Sequence, residues 1–292
     1  MFGAHQPVAM NRFPVARRSY SYADLRAAGH SRRQISHELR SGSLVRARND
    51  VYVVASEPEA ITIAARAGGL VGCVSALELW GVFVQERHGV HAHMRTNGAI
   101  RGPGDATVRH WGHLLRAVHP RALVVEPLDA LRQAVICQSP HAAIASIDSA
   151  LNRGIVREDE LDEMFAVIPA RRRDIRLHID GRAEAGTETL VRLMVRALGA
   201  SVDLQVRIRG VGRVDMVVDG WLVIECDSRA YHSEWQKQLD DKRRDLALAA
   251  RGYVRIRPAA EDILYRPEVV VEAIAGMLRA GRSGHLGGAT RA

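Results

Sequence analysis

The chain has 292 residues, 47% of them hydrophobic and 25% charged, with a formal net charge of +8. The hydrophobic share is ordinary for globular protein, and the length suits about two domains. No run approaches the ~18 apolar residues of a membrane helix, and the opening MFGAHQPVAMNRFPVARR lacks the continuous apolar stretch of a signal peptide. The expectation is therefore a cytoplasmic protein with no membrane partner. Its positive charge fits an acidic partner, nucleic acid before others. The three cysteines, Cys73, Cys137 and Cys226, show no metal-ligand spacing and suit a reducing compartment.

Residues 12–56 read as a small winged-helix module. Ser21 caps a short helix, Tyr22 to Ala28, that Gly29 ends; Ser31 caps a second, through about Arg40, that Gly42 stops. Ile35 and Leu39 lie four apart and face inward, which leaves Arg32, Arg33, Ser36 and Arg40 outward. Leu44–Arg48 and Val51–Val54, joined by Asn49 and Asp50, read as a ribbon, with Arg46 and Arg48 on one face. Nine arginines against two acids, Asp24 and Glu38, stand between Arg12 and Arg48. Arg17, Arg18, Arg32, Arg33, Arg40, Arg46 and Arg48 are the candidate contacts to double-stranded DNA phosphates and bases. A solvated basic face for protein contacts is the plainer alternative.

Residues 57–180 read as an α/β middle domain. A helix spans Glu59 to Ala67, and helix then turn follows over Val71 to Val84. Strands are expected at Val90–Met94, Val108–Trp111 and Ala122–Val125, and helices over Pro127–Ile136, His141–Leu151 and Glu158–Phe165. Gly98, Gly102, Pro103 and Gly104 mark a loop. His91 and His93 share a strand face as a metal pair would, although ordinary β-face imidazoles are the stronger reading. Arg171–Arg173 reads as a solvated linker run.

Residues 186–282 carry the strongest signal. Thr187 caps a helix ending at Gly199, with Glu188 in its first turn, where an acid suits the helix dipole without further role. Val202–Ile208 alternates strictly, with Gln205 able to face a cleft. Arg213 to Asp227, RVDMVVDGWLVIECD, folds about Asp219-Gly220 as a hairpin. A three-residue loop, Val218-Asp219-Gly220, gathers Arg213, Asp215, Val217, Trp221, Val223, Glu225 and Asp227 on one face and leaves the other wholly apolar. Asp215 and Glu225 then become diagonal neighbours able to hold one hard divalent cation, Mg²⁺, Mn²⁺ or Ca²⁺ rather than zinc. A helix from Ser233 to Arg251 follows, burying Trp235, Leu239, Leu246 and Ala250, with an arginine available to neutralise the acids. Tyr253–Arg257 is a strand, and about Glu268 to Ala280 a last helix. Residues 283–292 read as a disordered tail.

Two stretches resemble known families. Arg213-Val214-Asp215, Glu225-Cys226-Asp227-Ser228, His232 and the acid- and arginine-rich run Asp240–Asp245 are similar to the very-short-patch-repair-like endonucleases of the DUF559 type, within the PD-(D/E)xK nuclease superfamily. Ser228 replaces the usual Gly, and no Lys holds the third motif position. This resemblance implies an α+β fold with a restriction-endonuclease-like mixed sheet flanked by helices, and metal-dependent DNA hydrolysis. Asp215, Glu225 and the Cys226 carbonyl would hold Mg²⁺ (or Mn²⁺), Glu188 would approach it, and Asp227 or His232 would orient or move protons. The stretch ADLRAAGHSRRQISHELRSGSLVRARNDVYVV resembles the amino-terminal domain of the AbiEi antitoxins, and Cys73–Gly81 with Ser146–Leu151 resembles their second domain. That likeness implies a DNA-binding autorepressor with a cognate toxin as partner, its nuclease-like domain inactive.

Overall fold

The computed structural model describes residues 17–94, 107–226 and 235–283. The chain is α+β, with three small sheets. Its contacts form two compact units. One holds residues up to Ala143 and Arg153–Arg176; the other holds Ile144–Asn152 and everything from Leu177.

In the first unit, α1 (Tyr22–Ala27) and α2 (Arg32–Ser41) each begin with a reciprocal serine cap: Ser21 with Asp24, and Ser31 with Gln34. Each pair satisfies backbone donors that a helix start otherwise leaves unbonded. Gly42, at φ 76°, ends α2 in the left-handed region. The antiparallel ribbon of β1 (Leu44–Arg48) and β2 (Val51–Val54) follows. Leu25, Ile35, Leu44 and Tyr52 form its core with Leu39. A register shift between Arg46 and Arg48 breaks the expected alternation. Asp50 takes φ 54° in the turn, and its carboxylate accepts the Tyr22 N–H at 2.7 Å.

Next come α3 (Glu59–Ala67), β3 (Leu70–Val71), α4 (Cys73–Leu79), β4 (Val90–Met94), β5 (Thr107–Trp111) and α5 (Pro127–Cys137). The order in this sheet is β3-β4-β5, antiparallel then parallel. The strand expected at Ala122–Val125 is reduced to two isolated bridges, Arg18 with Ala122 and Val71 with Val124. Helix α6 (Pro140–Asn152) gives its first turn to this unit and the rest to the other; α7 (Glu158–Val167) returns. A 3-10 helix, Ala170–His178, takes the place of the arginine linker. The glycine-marked loop after β4 lies outside the described residues.

The second unit is a four-stranded sheet, β6 (Val202–Ile208), β7 (Gly212–Val218), β8 (Leu222–Ile224) and β9 (Val254–Ile256), in that order. β6, β7 and β8 are antiparallel, and β9 runs parallel to β8. Helices α8 (Gly186–Ala197), α9 (Trp235–Ala249), α10 (Ala260–Tyr265) and α11 (Pro267–Arg282) accompany it. Three expectations need correction. Ala185, not Thr187, is the N-cap of α8, and Thr187 lies buried inside the helix. Leu246 is 72% exposed, while Leu248 packs with Val217 and Val223. Helix α10 has no counterpart in the sequence reading.

The second unit also contains a fully buried ion pair. Arg192 Nη2 meets Asp148 Oδ2 at 2.7 Å, both side chains at 0% exposure. Asp148 further accepts the Thr189 hydroxyl at 2.8 Å and the Asp180 N–H at 2.7 Å. Burial nonetheless pushes its carboxyl up to about 6, against the Arg192 charge that opposes it.

Candidate functional site

The β7–β8 hairpin decides which acids meet. Asp219 and Gly220 take φ 46° and 77°, and the Trp221 N–H closes the turn on the Val218 carbonyl at 3.1 Å. The ladder then pairs Val218 with Leu222, Val217 with Val223 and Met216 with Ile224. The loop therefore has three residues, as parity requires, but they are Asp219, Gly220 and Trp221. The shift by one leaves the face partition intact. Val214, Met216, Leu222, Ile224 and Cys226 are buried on the apolar side. It also moves Asp215 from a diagonal place to the position across from Glu225, one step beyond the paired run.

Three carboxylates come together here. Asp215 Oδ2 accepts the Cys226 N–H at 2.8 Å, which bridges the open end of the hairpin. Glu188, on the first turn of α8 and only 5% exposed, accepts both the Glu184 N–H at 3.0 Å and Gln205 Nε2 at 2.8 Å on one oxygen, Oε2. Gln205 sits in β6 across from Asp215, at the one place where the β6–β7 ladder is interrupted, with φ 54°. A non-glycine residue pays about 1–3 kcal/mol for such backbone, and that strain collects at functional positions. Here it aims the amide at Glu188, as the cleft-facing reading expects. Arg213 pairs with Glu184 at 2.7 Å.

Glu225 is bound differently. Arg244 of α9 reaches its Oε1 at 2.6 Å, and Arg255 of β9 reaches Oε2 at 2.7 Å. Arg244 also donates to the Arg213 carbonyl, and Arg255 pairs with Asp245. An arginine from α9 thus meets the acids, as the sequence suggests; Arg255, from the next strand, was not foreseen. Its signal was only the Val254-Arg255-Ile256 alternation beside two acid-bearing elements.

The electrostatics separate the acids. Burial, then the nearby Asp215 charge, pushes Glu188 up to about 7. Burial raises Asp215 as well, opposed by the Cys226 N–H and the Arg244 charge. The Cys226 thiol lies far above its ordinary range, first through burial and then through Asp215, Glu188 and Glu225. Among the described residues, Asp215 Oδ1 and Glu188 Oε1 carry no hydrogen bond. Asp227, His232 and the residues between them lie outside the described residues.

The seven arginines expected to contact DNA divide into two groups. Arg17 is paired with Glu57 at 3.0 Å, Arg46 donates to Asn49 at 2.8 Å, and half-buried Arg48 donates to the Gly68 carbonyl at 3.5 Å. Arg18, Arg32, Arg33 and Arg40 are exposed and form no ion pair among the described residues. The last three stand on α2. His91 and His93 do not act as a pair. His93 Nδ1 meets Gln133 Nε2 at 3.1 Å, whereas His91 Nδ1 meets His110 Nε2 at 3.0 Å.

In comparisons with known proteins, no family model matches the chain and no curated protein matches it.

Proposed function

We propose that the chain is a DNA-binding protein of the very-short-patch-repair-like nuclease type. Its second unit hydrolyses phosphodiester bonds with Mg²⁺ or Mn²⁺, and its winged-helix-like segment engages double-stranded DNA. The observation that carries this reading is the meeting of Glu188 and Asp215. They are a buried and a half-buried carboxylate that repel one another and, among the described residues, keep one oxygen each free of hydrogen bonds, with a strained Gln205 orienting the first. Buried acids without a cation are costly, and hard oxygens in this number suit Mg²⁺ or Mn²⁺.

The residues fit such an ion. Asp215 Oδ1, Glu188 Oε1 and the Cys226 carbonyl would hold it, and Glu225 would join by exchanging Arg244 for it. When bound, it would lower the pKa of a coordinated water and stabilise charge building on the phosphate. Before an ion binds, Glu188, pushed up to about 7, holds near neutrality a proton that the ion would displace. Arg244, once off Glu225, is placed to neutralise a phosphate oxygen. Asp227 or His232 would stand in for the missing lysine in orienting water or moving its proton. Exposed Arg32, Arg33 and Arg40 supply phosphate contacts from one helix.

Plasmid cleavage with Mg²⁺ and with Mn²⁺ tests this. Asp215→Ala should slow cleavage by about 10²–10⁴. Equal rates for wild type and the variant reject the nuclease.

The two arginines on Glu225 favour a second reading, an AbiEi-like autorepressor with a silent nuclease fold and a toxin partner. It expects binding to the chain's own upstream DNA with no cleavage, and loss of that binding in Arg32→Ala/Arg33→Ala.

A further inference from the structure

The first unit holds a cluster outside the acid site that the nuclease reading does not use. Cys73, His91, His110 and Cys137 come from four separate elements, and their ligand atoms all lie within 4.8 Å of one another. Cys73 opens α4, His91 and His110 stand on the parallel strands β4 and β5, and Cys137 ends α5. His91 Nδ1 lies 3.0 Å from His110 Nε2 and 3.9 Å from Cys137 Sγ. A tetrahedral zinc with bonds of about 2.0 Å to nitrogen and 2.3 Å to sulfur separates such ligands by roughly 3.3–3.8 Å. The cluster is already near that size, so closure on an ion needs no pair of ligand atoms to approach by more than about 1 Å.

Two further features hold the donors in place. Cys73 has φ 48°, a left-handed conformation that a cysteine adopts only under constraint, and its N–H is fixed by Gln133 Oε1 at 2.8 Å. The other end of the same amide meets His93 Nδ1 at 3.1 Å. The Ser75 hydroxyl accepts the His91 N–H at 3.0 Å, tying the first turn of α4 to β4. The constraint thus aims one thiol into the group while a neighbouring histidine serves the support. The donor chemistry excludes Mg²⁺, since no carboxylate belongs to the group. Two thiolates and two neutral imidazoles balance a divalent charge and suit a borderline-soft ion.

We infer that Cys73, His91, His110 and Cys137 form a closed structural zinc site that ties α4 and α5 to the β4–β5 pair. Four protein ligands leave no open position, so the ion braces this unit and does not take part in the hydrolysis proposed above. Binding displaces two thiol protons, so loading weakens as pH falls.

The test uses the full chain, purified under reducing conditions without chelator. Elemental analysis should give about one zinc per chain, and cobalt loading should give the tetrahedral visible bands and thiolate charge-transfer absorption of an S₂N₂ site. Cys73→Ser and Cys137→Ser should each lower zinc at least tenfold, while His88→Gln and His113→Gln, on exposed neighbours, should leave it unchanged. If the cysteine variants do not fold, the wild type still decides: alkylation should spare Cys137, the exposed thiol of the pair, until a chelator is added. Less than a tenth of an equivalent of zinc after reconstitution, with no thiolate–cobalt absorption, overturns the inference. So does a Cys73–Cys137 disulfide in metal-free protein, or zinc that the cysteine variants retain as an adventitious ion only.

Discussion

Glu188→Gln isolates the acid site without touching a ligand-free surface. Both donors to Glu188 converge on Oε2, so a glutamine whose carbonyl takes that place keeps the Glu184 N–H and Gln205 bonds. Only the titratable charge beside Asp215 is lost. In the folded chain Glu188 holds its proton up to about pH 7, against an ordinary 4.5. The native state therefore binds that proton more tightly than the unfolded chain does. Its contribution is most favourable below pH 4.5, falls as pH rises towards 7, and is flat above. At ~1.4 kcal/mol per pH unit the span is roughly 3 kcal/mol, which the variant should regain at pH above 7. Asp148, itself raised to about 6, titrates in both proteins and cancels in the difference. Urea unfolding followed by circular dichroism from about pH 4 to pH 8 measures the difference curve. Parallel curves for the two proteins across that range would refute the claim that Glu188 is held protonated by its surroundings.

Other expectations rest on separate features. Asp148→Ala should cost about 3–5 kcal/mol, because Arg192 is then charged and buried without a counter-ion. Adding Arg192→Met should recover part of that loss in the same unfolding assay; a double variant less stable than the single one contradicts it. Ser31→Ala removes one of the two reciprocal caps and should cost roughly 0.5–2 kcal/mol, read as a lower midpoint for the first unit. Arg32→Ala/Arg33→Ala should weaken DNA binding and lower the salt slope by about 2, measured by titration at several ionic strengths.

Much of the local structure was legible because it rests on short-range chemistry. Serines with an acid or amide three residues on, glycines after helices, and Asp219-Gly220 between alternating apolar residues mark their elements unaided. Side-chain parity on the hairpin survived a one-residue error in the loop, since parity depends only on loop length. Helix α9 was harder because its inward face is mixed. Arg244 and Leu248, four apart, both turn to the sheet, and Arg244 breaks the apolar pattern that would mark that face. The Cys/His group was invisible because its ligands are scattered and only the parallel pairing of β4 with β5 brings the histidines together. The second grip on Glu225 was equally hidden, since Arg255 reaches it through the parallel β8–β9 pairing.

The split of helix α6 between the units has a practical outcome for anyone dividing the molecule. A fragment begun near Gly186, where the sequence suggests a boundary, would leave Asp148 behind on the discarded piece. Arg192 would then enter a dry interior bearing a charge that nothing offsets, and aggregation of that fragment would follow from the cut rather than from any weakness of the sheet. Nuclease trials are best run on material that retains residues 144–152.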